Sequence, residues 1–255
     1  MQIAIDPQWA LTVFFVAVRI GTVLVLSPVF TSLNGLITLR VLLTLALSVL
    51  LVSGMDLAPA PAAPPDLGQI VLGALGEVGL GLVLAFGVFA AFGAFAVAGK
   101  ILDIQTGFGI GNVYDPVTRS GAAPFATMLK MVALVVFFSM DGHHALLRGL
   151  AFSLRQVEPG MALAEYAAAP VIRQFGLMFS LGVALIVPVM FCLLLAEVAL
   201  AVVSRVLPQM NIFVIGVPVK MVAGLAVLAL TVGAAAPSMG RVYASIFTYW
   251  EQVLS

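Results

Sequence analysis

Six apolar segments alternate with shorter polar stretches along this chain, approximately Trp9–Thr31, Leu36–Met55, Ile70–Ala98, Phe125–Met140, Val171–Val203 and Asn211–Ala236. Runs of about 20 apolar residues are long enough to cross a bilayer core as helices. The fourth run is shorter and carries Lys130. The stretch DLAPAPAAPPD, Asp56 to Asp66, predicts an extended proline-rich linker over 56–68. Asp141 and Gly142 punctuate the end of the fourth run. The region 141–170 is more polar, with His143, His144, Arg148, Arg155, Glu158 and Glu165, and predicts a short amphipathic helix and a hairpin turn near Glu158–Gly160. No soluble domain or strict repeat interrupts the pattern, so a single membrane-embedded domain over 1–255 is expected.

Composition fixes the class. Of 255 residues, 63% are hydrophobic and 9% charged, with a mean hydropathy of +1.21. Soluble proteins carry roughly a quarter charged residues; so few charges could not cover a soluble surface of this size. The expectation is an all-α integral membrane protein with about six apolar helical segments. The formal net charge is zero, which gives no global basic signal for nucleic acid. The one cysteine, Cys192, lies in an apolar run and reads as a small core residue. Asp6 and the absence of Lys or Arg before the first run argue against a cleaved secretory signal, so the first helix is expected to stay attached. Basic residues do not orient the spans: the loops around Lys100 and Arg119 fall opposite those around Arg148, Arg155 and Arg173. Weak sorting signals and hairpins buried against partner subunits both fit that pattern.

Charges inside apolar runs are costly and are usually paired. Lys220 follows Pro218 within VIGVPVK, and Glu197 lies in the preceding run, each about a dozen residues from the turn Leu207–Gln209. Folding the two runs back on each other about Pro208 brings Glu197 and Lys220 to similar depth, as a buried pair within or between chains. In the third run, Gly73, Glu77, Gly81 and Ala85 recur at every fourth residue and share a helix face. Small residues at that spacing let helices approach closely. Glu77 there needs a partner, and Arg19 is a candidate. Packing within the chain and contact between subunits are equally open.

The loop Gly99–Pro124 alternates Gly107, Gly109 and Gly111 with Phe108 and Ile110. It lacks the lysine and serine spacing of a phosphate-binding loop. A filter-like element, a flexible apolar gate across a pore and a plain connector remain. His143 and His144 are adjacent, so on a helix they should point about 100° apart, poorly placed to share one metal ion. Asp141 is positioned as the N-cap. No Ser/His/Asp spacing, paired polar carboxylates or cysteine cluster is present, and neither enzymatic chemistry, cofactor nor metal is expected.

Four stretches carry a resemblance: RIGTVLVLSPVF (Arg19–Phe30), AGKILDIQTGFGIGNVYDP (Ala98–Pro116), DGHHALLRGLAFS (Asp141–Ser153) and, most specifically, LPQMNIFVIGVPVKMVAG (Leu207–Gly224). The chain resembles the FliR family of flagellar biosynthetic proteins and their counterparts in type III secretion injectisomes, over nearly its whole length. The segment TSLNGLITLR after Phe30 departs from it in lacking a proline before the second helix. The resemblance implies a subunit of the flagellar export gate, assembled with FliP and FliQ into a superhelical pore of helical hairpins, with FlhB as a further partner and FlhA nearby. Unfolded flagellar subunits would pass through it, driven by the proton motive force and an ATPase housed elsewhere. It implies the bacterial inner membrane and flagellar basal body, in contact with lipid and projecting toward the periplasm. By position, Gly107, Phe108, Gly109, Ile110 and Gly111 inherit the role of pore plug, and Pro208, Gln209, Asn211, Phe213 and Pro218 that of the hairpin motif. An injectisome homologue is the nearest alternative; a secondary transporter of a small solute is more distant.

Overall fold

Apolar runs without water to satisfy their backbones become helices, and every regular element among the described residues is helical. The structure, a computed structural model, describes residues 7–31, 37–55, 66–108, 123–161, 168–207, 209 and 212–255. Among these the helices are α1 (Pro7–Leu26), α2 (Pro28–Thr31), α3 (Ile37–Gly54), α4 (Leu67–Thr106), α5 (Pro124–Ser139), α6 (Gly142–Gln156), α7 (Ala168–Val206), α8 (Ile212–Thr231) and α9 (Ala236–Leu254). Five are long and apolar enough to cross a membrane, or six if α5 and α6 count as one broken span. This is an all-α membrane protein.

Three boundaries differ from the sequence pattern. The first run breaks at Ser27, because Pro28 has no N–H to continue the helix and instead starts α2. The third run does not end at Ala98. It continues through Gly99 and Lys100 to Thr106, so the first residues expected in the glycine loop are helical. Gly99 is there for contact, not flexibility: a Cβ would lie 2.3 Å from Ala126 Cα. Finally, α9 is absent from the six apolar runs because it alternates polar and apolar residues around one buried face, Met239, Val242, Tyr243, Ile246, Tyr249 and Trp250. The amphipathic helix expected after Asp141 is α6, and the turn expected near Glu158–Gly160 is closed by Met161 N–H donating to Glu158 O at 3.2 Å.

The chain divides into two compact units. One comprises Met1–Ala90, Asp141–Phe175 and Ala244–Ser255. Here α1 packs on α3 and turns Phe15, Val16, Arg19, Ile20, Val23 and Leu24 inward. The small face of α4 lies against α1: Cβ atoms added at Gly73 and Gly81 would meet Phe15 at 2.9 Å and Thr22 at 2.7 Å. At the end of α9, the Tyr249 hydroxyl donates to Val83 O at 3.0 Å and Trp250 Nε1 to Leu84 O at 2.9 Å. Burial pushes the Tyr249 phenol up to about 12, so it remains a neutral donor through the physiological range.

The other unit comprises Ala91–Met140 and Gly176–Tyr243. Its aromatic centre is Tyr243, whose ring lies 5.5–5.7 Å from those of Phe92, Phe95 and Phe137. The Tyr243 hydroxyl donates to Ala133 O at 2.6 Å. Burial raises this phenol as well.

Candidate functional site

The glycine loop leaves α4 and returns at α5, and both roots belong to the second unit. Gly107 closes α4 with φ +95°, a left-handed conformation glycine adopts without strain, and its N–H donates to Ile104 O at 3.1 Å. Phe108 is half-buried; Gly109, Ile110 and Gly111 lie outside the described residues. At the returning root, α5 begins at Pro124 after Ala123, which has no side-chain oxygen to cap it. Asp103, one turn before the end of α4, supplies the cap. Its Oδ1 accepts from Phe125 N at 3.0 Å and its Oδ2 from Ala126 N at 3.1 Å, with the side chain buried. Each is a charge-assisted bond at a positive helix end. One carboxylate therefore fastens the two ends of the loop to each other.

Sequence reasoning missed Asp103. The available signal was a pair of facts: an acidic residue in the apolar stretch ILDIQ, and a helix start at Pro124 without a Ser, Thr, Asp or Asn before it.

Lys220 secures the outgoing root. Its Nζ lies 3.3 Å from Glu197 Oε1 and donates to Gln105 O at 3.4 Å, at the carbonyl end of α4 where a cation is favoured. The side chains are 16% exposed for Lys220 and 59% for Glu197. Within this chain the pair is covered on the lysine side, while Glu197 faces outward from α7. Lys220, Glu197, Gln105, Gly107, Leu200 and Val217 line a cleft of about 610 Å³ against the loop root. Pro218, inside α8 and two residues before Lys220, has no N–H to donate. Of the hairpin motif, Gln209 is an exposed turn residue and Phe213 lies in the first turn of α8, while Pro208 and Asn211 fall outside the described residues.

The first unit holds a second polar centre. Arg19 Nε donates to Glu77 Oε2 at 2.6 Å and Nη2 to Oε1 at 2.9 Å, both side chains 0% exposed. Arg19 also donates to Ser153 O at 2.9 Å and Val157 O at 3.0 Å, and Gly160 N–H donates to Glu77 Oε1 at 2.8 Å. The pair thus ties α1, α4, the end of α6 and the following turn together.

Two details near Asp141 depart from the sequence reading. Asp141 does hold the N-cap position of α6, but in a left-handed conformation (φ 54°) with no capping hydrogen bond from its side chain. The rings of His143 and His144 do not diverge; their centroids lie 4.1 Å apart.

A family model described as bacterial export proteins, family 1, matches residues 10–246 of the chain. Flagellar biosynthetic protein FliR of Bacillus subtilis (strain 168) is 30% identical over 212 residues, spanning 80% of each protein. That of Pectobacterium carotovorum subsp. carotovorum is 27% identical over 262 residues, spanning 97% of this chain and 94% of the relative. Yop proteins translocation protein T of Yersinia pestis is 28% identical over 147 residues, 56% of each.

Proposed function

Because this chain belongs to the bacterial export proteins, family 1, we propose that it works as the FliR-type subunit of the flagellar type III protein export gate. The observation that carries the reading is the extent of likeness: flagellar relatives match over as much as 97% of the chain, against 56% for the injectisome relative. On this reading it assembles with FliP and FliQ in the inner membrane at the flagellar basal body. FlhB and FlhA are neighbours in the apparatus, and unfolded flagellar subunits are the cargo. The chain contributes a passage and a gate rather than bond-making chemistry.

The loop root supports a gating role. Residues beyond Gly107 depart from and return to one fixed place, because Asp103 joins the two roots and Lys220 holds the outgoing one. A plug on such a base can withdraw while α4 and α5 keep their packing. Three glycines among 107–111 supply the backbone freedom, and Phe108 with Ile110 the apolar bulk that excludes water.

The test of identity is co-purification from the native host through a C-terminal tag after gentle solubilisation. Recovery of FliP and FliQ in a discrete particle is expected; a folded, monodisperse chain recovered alone would move the assignment to a self-contained transporter. The gating role is read separately. Deleting Gly107–Gly111 should leave the particle intact and raise membrane ion conductance, whereas unchanged conductance would make the segment a connector. Lys220→Ala should also raise conductance, and Lys220→Arg should do so much less. Equal conductance and full motility in both would remove Lys220 from the gate.

A further inference from the structure

The start of α6 carries chemistry that the export role does not use. Asp141, His143 and His144 each offer a ligand atom, and these atoms all lie within 4.8 Å of one another. We propose that these three side chains form a binding site for a transition-metal dication of the zinc class, completed by water.

Three observations bear on the geometry. First, the His144 Nδ1 to Asp141 Oδ1 separation is 3.5 Å. That is long for a charge-assisted hydrogen bond, which runs at about 2.7–2.9 Å. It is close to the ligand–ligand edge of about 3.4 Å that a tetrahedral ion with bonds of 2.0–2.1 Å requires. Second, Asp141 does not spend its carboxylate on the helix. Its left-handed backbone (φ 54°) leaves the side chain without a capping bond and brings it beside His144. A non-glycine residue rarely adopts that conformation, so the turn places a carboxylate where an ordinary N-cap would not. Third, the two imidazoles lie side by side, centroids 4.1 Å apart and planes tilted by 37°. Adjacent helical side chains diverge by about 100°, so these rotamers converge against the helical default.

Donor type sets the class of ion. Two imidazoles and one carboxylate suit zinc, copper or nickel, whereas calcium and magnesium favour all-oxygen shells. Exposure is consistent with access: the Asp141 side chain is 77% exposed and that of His144 62%, so an ion can enter from water and keep water in its remaining positions. The positive end of α6 opposes a cation there. The Asp141 carboxylate offsets it, and its removal should therefore be felt most.

The experiment is zinc titration of the intact chain in its native complex, purified through a tag that contains no histidine and followed calorimetrically. Cobalt serves as a visible-absorption reporter of coordination number. The expected result is one saturable site per chain, with cobalt giving the intense absorption of four-coordinate geometry. Asp141→Asn and His144→Gln should each weaken zinc at least about tenfold, while motility and particle yield stay at the level of the unsubstituted protein. Two adjacent histidines alone would retain weak nickel binding, so Asp141→Asn is the decisive variant. Unchanged zinc affinity in Asp141→Asn, or no saturable site at all, would overturn the proposal. Because both residues are exposed, helix content by circular dichroism separates lost binding from lost folding.

Discussion

Replacing Arg19 with methionine is expected to destabilise the first compact unit by about 3–5 kcal/mol, the usual result of stranding one half of a buried pair. The substitution leaves Glu77 fully buried with the Gly160 N–H as its remaining donor among the described residues; the Val157 carbonyl loses its partner, while the Ser153 carbonyl keeps the Val157 N–H at 3.0 Å. Glu77→Gln should be comparably harmful, because it leaves a guanidinium without its counter-charge. The informative variant combines Arg19→Met with Glu77→Leu. No charge is then buried, and stability should recover in part, limited by the unpartnered Val157 carbonyl. Steady-state level in the membrane and resistance to limited proteolysis report the outcome. Single variants as resistant as the parent, or a double variant as damaged as the sum of the two singles, would remove the pair from the centre of that unit.

The second large effect is expected at Asp103. Asp103→Ala leaves the Phe125 and Ala126 N–H groups without an acceptor in a buried setting. Each such loss costs about 1–3 kcal/mol. The damage is local, since it falls where the loop returns to α5. Ion leak across the membrane should therefore rise, in the order Asp103→Ala above Asp103→Asn above the parent, because asparagine retains one acceptor oxygen for two donors. Gly99→Leu attacks the same root sterically, forcing α5 away at Ala126, and should leak as Asp103→Ala does. If Asp103→Ala conducts no more than the parent while the loop deletion does, then the plug functions without a fastened base.

The two centres differ in how far they could be read from sequence. Arg19 and Glu77 stand out because a charge inside an apolar run is conspicuous wherever the run folds, and no other acid lies within that stretch of α4. Their pairing across 58 positions follows from the scarcity of alternatives. The additional bonds to Ser153 and Val157 do not, because backbone carbonyls are identical in every sequence. Lys220 and Glu197 were legible for the same reason as Arg19. The exposure of Glu197 was not, since hydropathy along a chain says nothing about which face of α7 is covered.

What the sequence by itself determined was the helical membrane class, the approximate spans and the family, because these rest on local composition and on motifs contiguous in the chain. Only the tertiary structure decided that α4 runs past Gly99, that Asp103 caps a helix beginning 21 residues later at Pro124, and that the two histidines converge on Asp141. Each depends on a contact between segments or on a single backbone angle. A glycine reads as a loop until Ala126 is seen against it, and an aspartate reads as an isolated charge until the N–H groups it accepts from are in place.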